Sequence, residues 1–529
     1  MDDPSLREEP NVWHNVRQEL AQGRQWVDRA IIFGYATLAG LSVVAFTWLT
    51  DRTFGLFSRL YAAWPLALLV WTPLCTVAVA WCTRRWFPRA GGSGIPQVMV
   101  ALEPDLTPSQ RTSFVSLRLS VAKILLSAAG LLGGLSIGRE GPSVQVAAGV
   151  MLHARRWLRK DSELGVHALL VAGGAAGLAA TFNAPLAGVV FALEELGRKL
   201  PPRNSSLIIV VIVLAGLVGI TFFGNQHFLG TIVVPPISLS MLGPGIGVTL
   251  ASGLLGGLFA RVMTASLNGA PSPLNALRRR YPLPFAAFLG LLIAGIGLAT
   301  QGATFGGGAE SVRNMLTQTE RPSFLFVPLK FLATWLTAWS GVPGGIFAPS
   351  LAVGAGVGYD VAYYSQNMTI LAPLIALGMA AFLAAVTQAP LTAFIIVMEM
   401  VDGGAMVLSL MAAAMVAAML SRLISRPLYP ALAGAMYLSL QPAYVVRDSR
   451  EDNSHVLHSA PEAPSDIAPE AAPGSSAAPS SSPAGTSADP SVPLPNTAAA
   501  QPPASTAPPE GSTSEDADTA GAAGDSAPK

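Results

Sequence analysis

The chain has 529 residues, of which 51% are hydrophobic and 12% charged, and its mean hydropathy is +0.49. Soluble domains carry roughly 25% charged residues, so a water-soluble globular fold is excluded for most of the chain. The net charge of +1 hides an asymmetry: residues 450–529 hold eleven acids and two bases, a net of −9, which leaves residues 1–449 at +10 by difference.

Residues 1–28 are polar with scattered Val, Trp and Leu, and are expected to form a cytoplasmic amphipathic helix ahead of the first span. The opening MDDPSLREEP has no basic region running into a short apolar one, so no cleavable signal peptide is expected. Residues 29–440 form the expected membrane domain. Apolar stretches of about 18 residues or more read as spanning helices; they recur near 30–50, 64–83, 119–137, 205–223, 244–267, 283–300 and 404–424. Arg7, Arg17, Arg24 and Arg29 precede the first span and Arg84, Arg85 and Arg89 follow the second, while Asp51, Arg52 and Arg59 fall in the expected loop between them. The excess of arginine at one end places the N-terminus in the cytoplasm, and the C-terminus is expected on the same side. Cys75 and Cys82 are the only cysteines; on one helix they stand about 10 Å apart, too far for a disulfide. Residues 446–529 are Ala/Pro/Ser-rich and acidic, with few large apolar side chains to offset chain entropy. A disordered tail is expected there, with no folded regulatory module.

The body repeats. LAATFNAPLAGVVFALEE (178–195) aligns without gaps to LAAVTQAPLTAFIIVMEM (383–400) at an offset of 205, and PSVQVAAGV (142–150) aligns to PSLAVGAGV (349–357) at 207. Two related halves follow, about 29–235 and 240–440. Transporters with such repeats bind substrate near the midplane, where broken helices of the two halves meet. The repeat alone does not say whether the halves are parallel or inverted.

Three segments carry Gly/Pro breaks inside apolar surroundings: Gly92-Ser93-Gly94-Ile95-Pro96, Gly138-Arg139-Glu140-Gly141-Pro142 and Gly344-Gly345-Ile346-Phe347-Ala348-Pro349. Proline is tolerated in the first turn of a helix, where its missing N–H is no loss, and glycine permits the tight turn before it. Each segment therefore reads as a helix beginning inside the membrane. Such an end offers free N–H donors and roughly half a positive charge, which suits an anion. Taken singly, each could be a kink or a close-packing site; three together, two of them in repeated blocks, favour the anion.

These segments, with Lys123 ahead of the second and Tyr429 in RPLYPAL (426–432), resemble the CLC family of chloride channels and proton-coupled chloride transporters. The resemblance implies an all-α polytopic membrane protein, an inverted repeat of tilted, partly spanning helices. It also implies a homodimer in a lipid bilayer with one ion pathway per subunit. It further implies a transporter and no enzyme, with chloride and protons as the cargo and no cofactor, metal or nucleic-acid partner. Carried over residue by residue, the anion site takes the hydroxyls of Ser93 and Tyr429 and the backbone N–H groups of Ile346 and Phe347. Glu140 becomes both gate and proton carrier: ionised, it competes with chloride for a helix end; protonated, it leaves. A buried carboxylate in a membrane is by itself a functional expectation. Arg139 and Lys123 take a supporting electrostatic role.

Glu195 matches the internal proton acceptor of the antiporters, a position that is apolar in typical channels of the family. The repeat aligns Glu194 with Glu399 but Glu195 with Met400, so Glu195 has no counterpart; the roles of Glu194 and Glu399 stay open. Some bacterial members pair the internal glutamate with a second acid where this chain has Met99. Proton-coupled exchange is the expectation, and a passive chloride channel of the same family is the alternative. Ser93 resembles chloride-preferring members. A bacterial inner membrane is the expected location. Gly91-Gly92-Ser93-Gly94 also fits the G-x-S-G of intramembrane serine proteases, a chemistry that needs a histidine within reach of the serine. His14, His455 and His458 lie outside the body, His153 and His227 fall in expected loops, and only His167 borders an apolar segment.

Overall fold

The structure is a computed structural model that describes residue 13 and residues 23–440, apart from 160–161, 163–164, 198–204, 225–228, 230–238, 320 and 402. Most of the expected amphipathic segment, the end of the first half near residue 235 and the expected disordered tail 446–529 lie outside the described residues. Among the described residues there are helices and no strands, only two isolated bridges. The first half runs through α1 (Gly23–Ala63), α2 (Leu68–Trp86), α3 (Ile95–Ala101), α4 (Pro108–Phe114), α5 (Leu117–Leu132), α6 (Glu140–His153), α7 (Val166–Phe182), α8 (Pro185–Phe191) and α9 (Ser205–Phe223). The second runs through α10 (Leu239–Leu267), α11 (Pro273–Arg280), α12 (Pro282–Ala299), α13 (Ala309–Leu316) and α14 (Phe326–Ser340). It continues with α15 (Phe347–Tyr364), α16 (Leu371–Thr387), α17 (Pro390–Met400), α18 (Val407–Arg422) and α19 (Leu428–Leu438).

Eight stretches are long and apolar enough to cross a membrane among the described residues. Seven overlap the apolar stretches read from sequence. The eighth, Met368–Thr387, is 89% buried inside the protein, so other helices, not lipid, solvate it. Two expectations are corrected. The loop foreseen around Asp51–Arg59 is helical: α1 continues for 41 residues through Asp51 and Arg52, and only the short turn Pro65–Ala67 precedes α2. The stretch near 119–137 ends as a helix at Leu132, because Gly133 caps it and Gly134 takes φ +76, a conformation that a side chain would strain.

The two halves are inverted, and reciprocal contacts show the axis. Gly138 and Gly345, 207 residues apart as in the repeat, bond each other through two backbone hydrogen bonds of 2.8 Å. Across the 205-residue offset, the Glu194 carboxylate accepts from Leu391 N (3.1 Å) and Thr392 N (2.7 Å) at the start of α17. Its counterpart Glu399 accepts from Leu186 N (3.2 Å) and Ala187 N (2.6 Å) at the start of α8. When residue i of one copy meets j of the other and j meets i, a two-fold axis relates them. Direction follows from what each broken helix reaches. The C-terminal end of α6 lies at the beginning of α1, with Tyr35 Oη and His153 Nδ1 2.9 Å apart and Arg159 paired to Asp28 at 3.1 Å. Its mate α15 runs the other way: Gly356 abuts Phe326, which shares a cavity with Ser58 and Tyr61 from the far end of α1.

The most extensive helix pairs are α6 with α7 and α15 with α16, which are repeat equivalents. Both use small residues for backbone approach, as membrane helices do in place of a hydrophobic drive. A Cβ on Gly177 of α7 would collide with Ser143 O of α6, and one on Gly378 of α16 with Gly354 O of α15.

Candidate functional site

The three broken segments meet pairwise. The first touches the third, as Gly344 N donates to Gly92 O at 3.1 Å, and the second touches the third through the Gly138–Gly345 pair. The first touches the second so closely that a Cβ on Gly94 (φ +113) would stand 2.5 Å from Gly141 O, and one on Gly141 would collide with Ser93 Oγ. Only glycine fits either position. From this junction α3, α6 and α15 begin, with Pro96, Pro142 and Pro349 inside their first turns. The first-turn N–H groups have no carbonyl of their own helix to bond.

Ahead of α3 the loop carbonyls are tied to side chains. Lys123, fully buried, donates from Nζ to Ala90 O (2.8 Å) and Gly92 O (2.6 Å). Gln97 donates from Nε2 to Gly91 O (2.5 Å) and accepts from Gly94 N at Oε1 (2.9 Å). The negative ends of these peptide dipoles are thereby engaged away from Ser93. Ser93 and Tyr429 are 8% and 0% exposed, and neither hydroxyl has a hydrogen-bond partner. They face each other without meeting hydrogen-bond geometry, and the carboxyls of Glu195 and Glu140 lie within electrostatic reach of the Tyr429 hydroxyl. The Tyr429 ring stacks on Phe347, centroids 5.8 Å apart, which fixes its direction. Two buried, unsatisfied hydroxyls are costly unless something accepts from them. An anion would.

Glu140 is the first residue of α6 and is 2% exposed. Its Oε2 accepts from Ala348 N at 3.4 Å, in the first turn of α15. The carboxylate thus stands where an anion at that helix end would stand. A cavity of about 1270 Å³ is lined by Glu140, Arg139 and Ala348 together with Asp51, Glu310 and Arg313, while Ser93 and Tyr429 are absent from the lining. Glu140 thus borders the cavity, and the buried hydroxyl pair does not. Arg139 turns outward to Asp51, Nη1 to Oδ1 2.6 Å.

Along this chain the voltage gated chloride channel family matches residues 75–422. The chain belongs to that family. Among solved structures it is similar to a slow cyanobacterial Cl−/H+ antiporter, 25% identical, with a TM-score of 0.66 over 78% of this chain and 98% of that one. It is also similar to a CLC-type fluoride/proton antiporter (21% identity, TM-score 0.63, 77% and 97% covered) and to a eukaryotic CLC transporter (23%, 0.60, 78% and 75%). At these identities the last two share the fold alone.

Within this voltage gated chloride channel fold, the sequence candidates fall into two groups. Ser93, Glu140, Ile346, Phe347, Tyr429 and the glycines of the three segments gather at one junction. Glu195 comes from another element, 6% exposed in the π-turn Ala192–Leu196 that ends the α8 region, and reaches the junction only electrostatically, through Tyr429. A π-turn shifts side-chain direction by one position; it leaves Glu195 inside while neighbouring Glu194 reaches across to α17. Glu194 and Glu399, whose roles the sequence left open, are the reciprocal helix caps described above. Met99 packs half-buried against the core. His153 ends a helix and is not in a loop, and no described histidine bonds Ser93 Oγ, so the serine–histidine dyad of a protease is not formed.

Three participants escaped sequence reading. Ala348 supplies the N–H that meets Glu140. Gln97 fastens the first loop. Lys330, fully buried, donates to Thr304 O (3.0 Å) and Gly306 O (2.8 Å) just ahead of α13, whose cap Gly308 has φ +88. It is 207 residues after Lys123 and does for the second half what Lys123 does for the first. The signal was present for Lys330, at the same repeat offset; the Gly306-Gly307-Gly308 run lies 214 residues after Gly92-Ser93-Gly94, and its equivalence shows only in the lysine bonds.

Proposed function

We propose that this protein exchanges chloride for protons across a bacterial plasma membrane, with Glu140 as the gate and proton-transfer group. One observation carries the reading: the Glu140 carboxylate, which borders a large cavity, accepts from Ala348 N–H at the start of α15, the helix end that also carries Ile346 and Phe347. Ionised, it fills the place an anion needs. Protonated, it no longer competes, and chloride takes the helix ends with Ser93, Tyr429 and the N–H groups of Ile346 and Phe347. Hydroxyl and amide donors hold chloride loosely enough to release it. Glu195, buried and within electrostatic reach of Tyr429, delivers the proton from the inner side. Lys123 positions the Ser93 loop, and Arg139 adds positive potential at the mouth. The family match and the likeness to a Cl−/H+ antiporter support the ion and the coupling. The functional unit is a homodimer with one such pathway in each subunit, and both termini are cytoplasmic.

The test is the purified protein in liposomes with chloride and internal pH followed together. A chloride gradient should drive protons uphill. Glu140→Gln should leave chloride flux without proton movement, and Glu195→Gln should stop protons while chloride still passes. Chloride flux with no coupled protons in the unmodified protein refutes exchange and leaves a channel.

A further inference from the structure

At the opposite end of the α2 helix from the Pro65–Ala67 turn, a second cavity of about 280 Å³ lies among Arg84, Leu267, Asn268, Gly269, Asn275, Arg278 and Arg279. It joins three elements: the last turn of α2, the end of α10, and the short helix α11. Three guanidiniums border it and no carboxylate is in its lining.

Part of this basicity has a plain cause. The end of a helix favours cations, and Arg278, Arg279 and Arg280 form the last turn of α11. That account does not explain their directions. Arg280 turns to its neighbour Tyr281, 5.4 Å from the ring centroid, and is not in the cavity lining. Arg278, half-buried, and Arg279, exposed, line the cavity together with Arg84, and Arg278 lies within electrostatic reach of Arg84. Each is anchored by one N–H, Arg278 Nη1 to Ser266 O and Arg279 Nη1 to Gly269 O, both at 3.3 Å. A guanidinium has five N–H donors, so both keep several for another acceptor. Asn275 adds no competing acceptor: its Oδ1 takes the Trp339 indole N–H at 3.0 Å. Its Nδ2 is held by Ala270 O at 2.9 Å. Burial pushes the Arg278 pKa down, and Arg84 pushes it the same way. The two cations therefore repel across a partly desolvated gap that an anion would relieve.

We propose that this cavity binds a phosphate group. Planar guanidiniums converging from separate helices match the oxygens of a phosphate bidentately. Basic pockets between membrane helices at the cytoplasmic end, where the arginine asymmetry places Arg84, are suited to phosphate head groups. A phospholipid and a soluble phosphate present the same chemistry. The site stands apart from the ion pathway proposed above, and its binding is read without ion flux.

The experiment uses the full-length purified protein at fixed chloride and fixed ionic strength. One arm titrates inorganic phosphate, then pyrophosphate, and reads the unfolding midpoint. The other reconstitutes the protein in phosphatidylcholine vesicles with and without phosphatidic acid and measures retained phospholipid phosphorus after re-extraction. Saturable stabilisation in the first arm assigns a soluble phosphate; specific retention of phosphatidic acid in the second assigns a lipid. Either supports the site, provided that Arg279→Gln and Arg84→Gln each weaken the effect about tenfold, the loss of one charge-assisted contact, while Arg280→Gln leaves it unchanged. Arg278→Gln should weaken it most; since Arg278 also braces Ser266, the other two variants decide if it misfolds. No binding in either arm, or equal weakening by Arg280→Gln, overturns the proposal.

Discussion

Replacing Glu194 or Glu399 by glutamine tests the two-fold architecture directly. Each carboxylate accepts two backbone N–H bonds at the first turn of a helix in the other half, at 3.1 and 2.7 Å for Glu194 and 3.2 and 2.6 Å for Glu399. A hydrogen bond to a charged group contributes about 1.5–3 kcal/mol, and glutamine keeps one acceptor oxygen while turning an amide N–H₂ toward the other donor. About one charged bond is lost. Both carboxylates are half-buried, so solvent screening reduces the figure and the expected cost is about 1–2 kcal/mol per variant. The symmetry makes the prediction sharp. Glu194→Gln and Glu399→Gln should cost nearly the same, and because the four N–H groups are distinct, the double variant should cost the sum, within the usual coupling of about 0.5 kcal/mol. Equilibrium unfolding in mixed micelles, read by tryptophan fluorescence, measures all three. A neutral single variant, or a cost confined to one of the pair, would refute the reciprocal caps.

Ser93→Ala should keep chloride flux while shifting its concentration dependence, since one of several donors is lost; complete loss of transport would argue against a shared donor set. Lys330→Met leaves Thr304 O and Gly306 O without their donor and should lower stability by about 1–3 kcal/mol; an unfolding midpoint equal to or above the unmodified protein would contradict the bracing role. Gly378→Val places a side chain against Gly354 O and should prevent recovery of monodisperse protein by size exclusion, with transport lost alongside. A well-folded variant would mean that α15 and α16 do not touch at the backbone.

Much of the site was legible because its signals are local. Gly92–Pro96, Gly138–Pro142 and Gly344–Pro349 announce helix starts by backbone chemistry alone, and Glu140 stands out as an acid in apolar surroundings. Lys330 and the Gly306–Gly308 turn were equally local but lacked a matching hydroxyl or acid, so only the 207-residue offset from Lys123 marked Lys330 as its partner. Asp51 misled: read as a loop acid, it lies within α1, where its pairing with Arg139 gives the charge a partner that the sequence could not point to.

The sequence by itself determined the solvent, the number of long apolar stretches bar one, the repeat, and the three helix starts. Those properties depend on composition and on the φ/ψ freedom of neighbouring residues. Tertiary structure alone decided that the halves are inverted, that the three starts meet at one junction, that Met368–Thr387 is enclosed by protein, and that Glu194 and Glu399 cap each other's halves. The inversion and the reciprocal caps depend on contacts between residues about 200 positions apart, whereas Met368–Thr387 is enclosed by α10, α15, α17 and α18 of its own half. An apolar run looks the same whether lipid or another helix will cover it, and a carboxylate reveals its N–H partner only when the partner's helix has been brought to it.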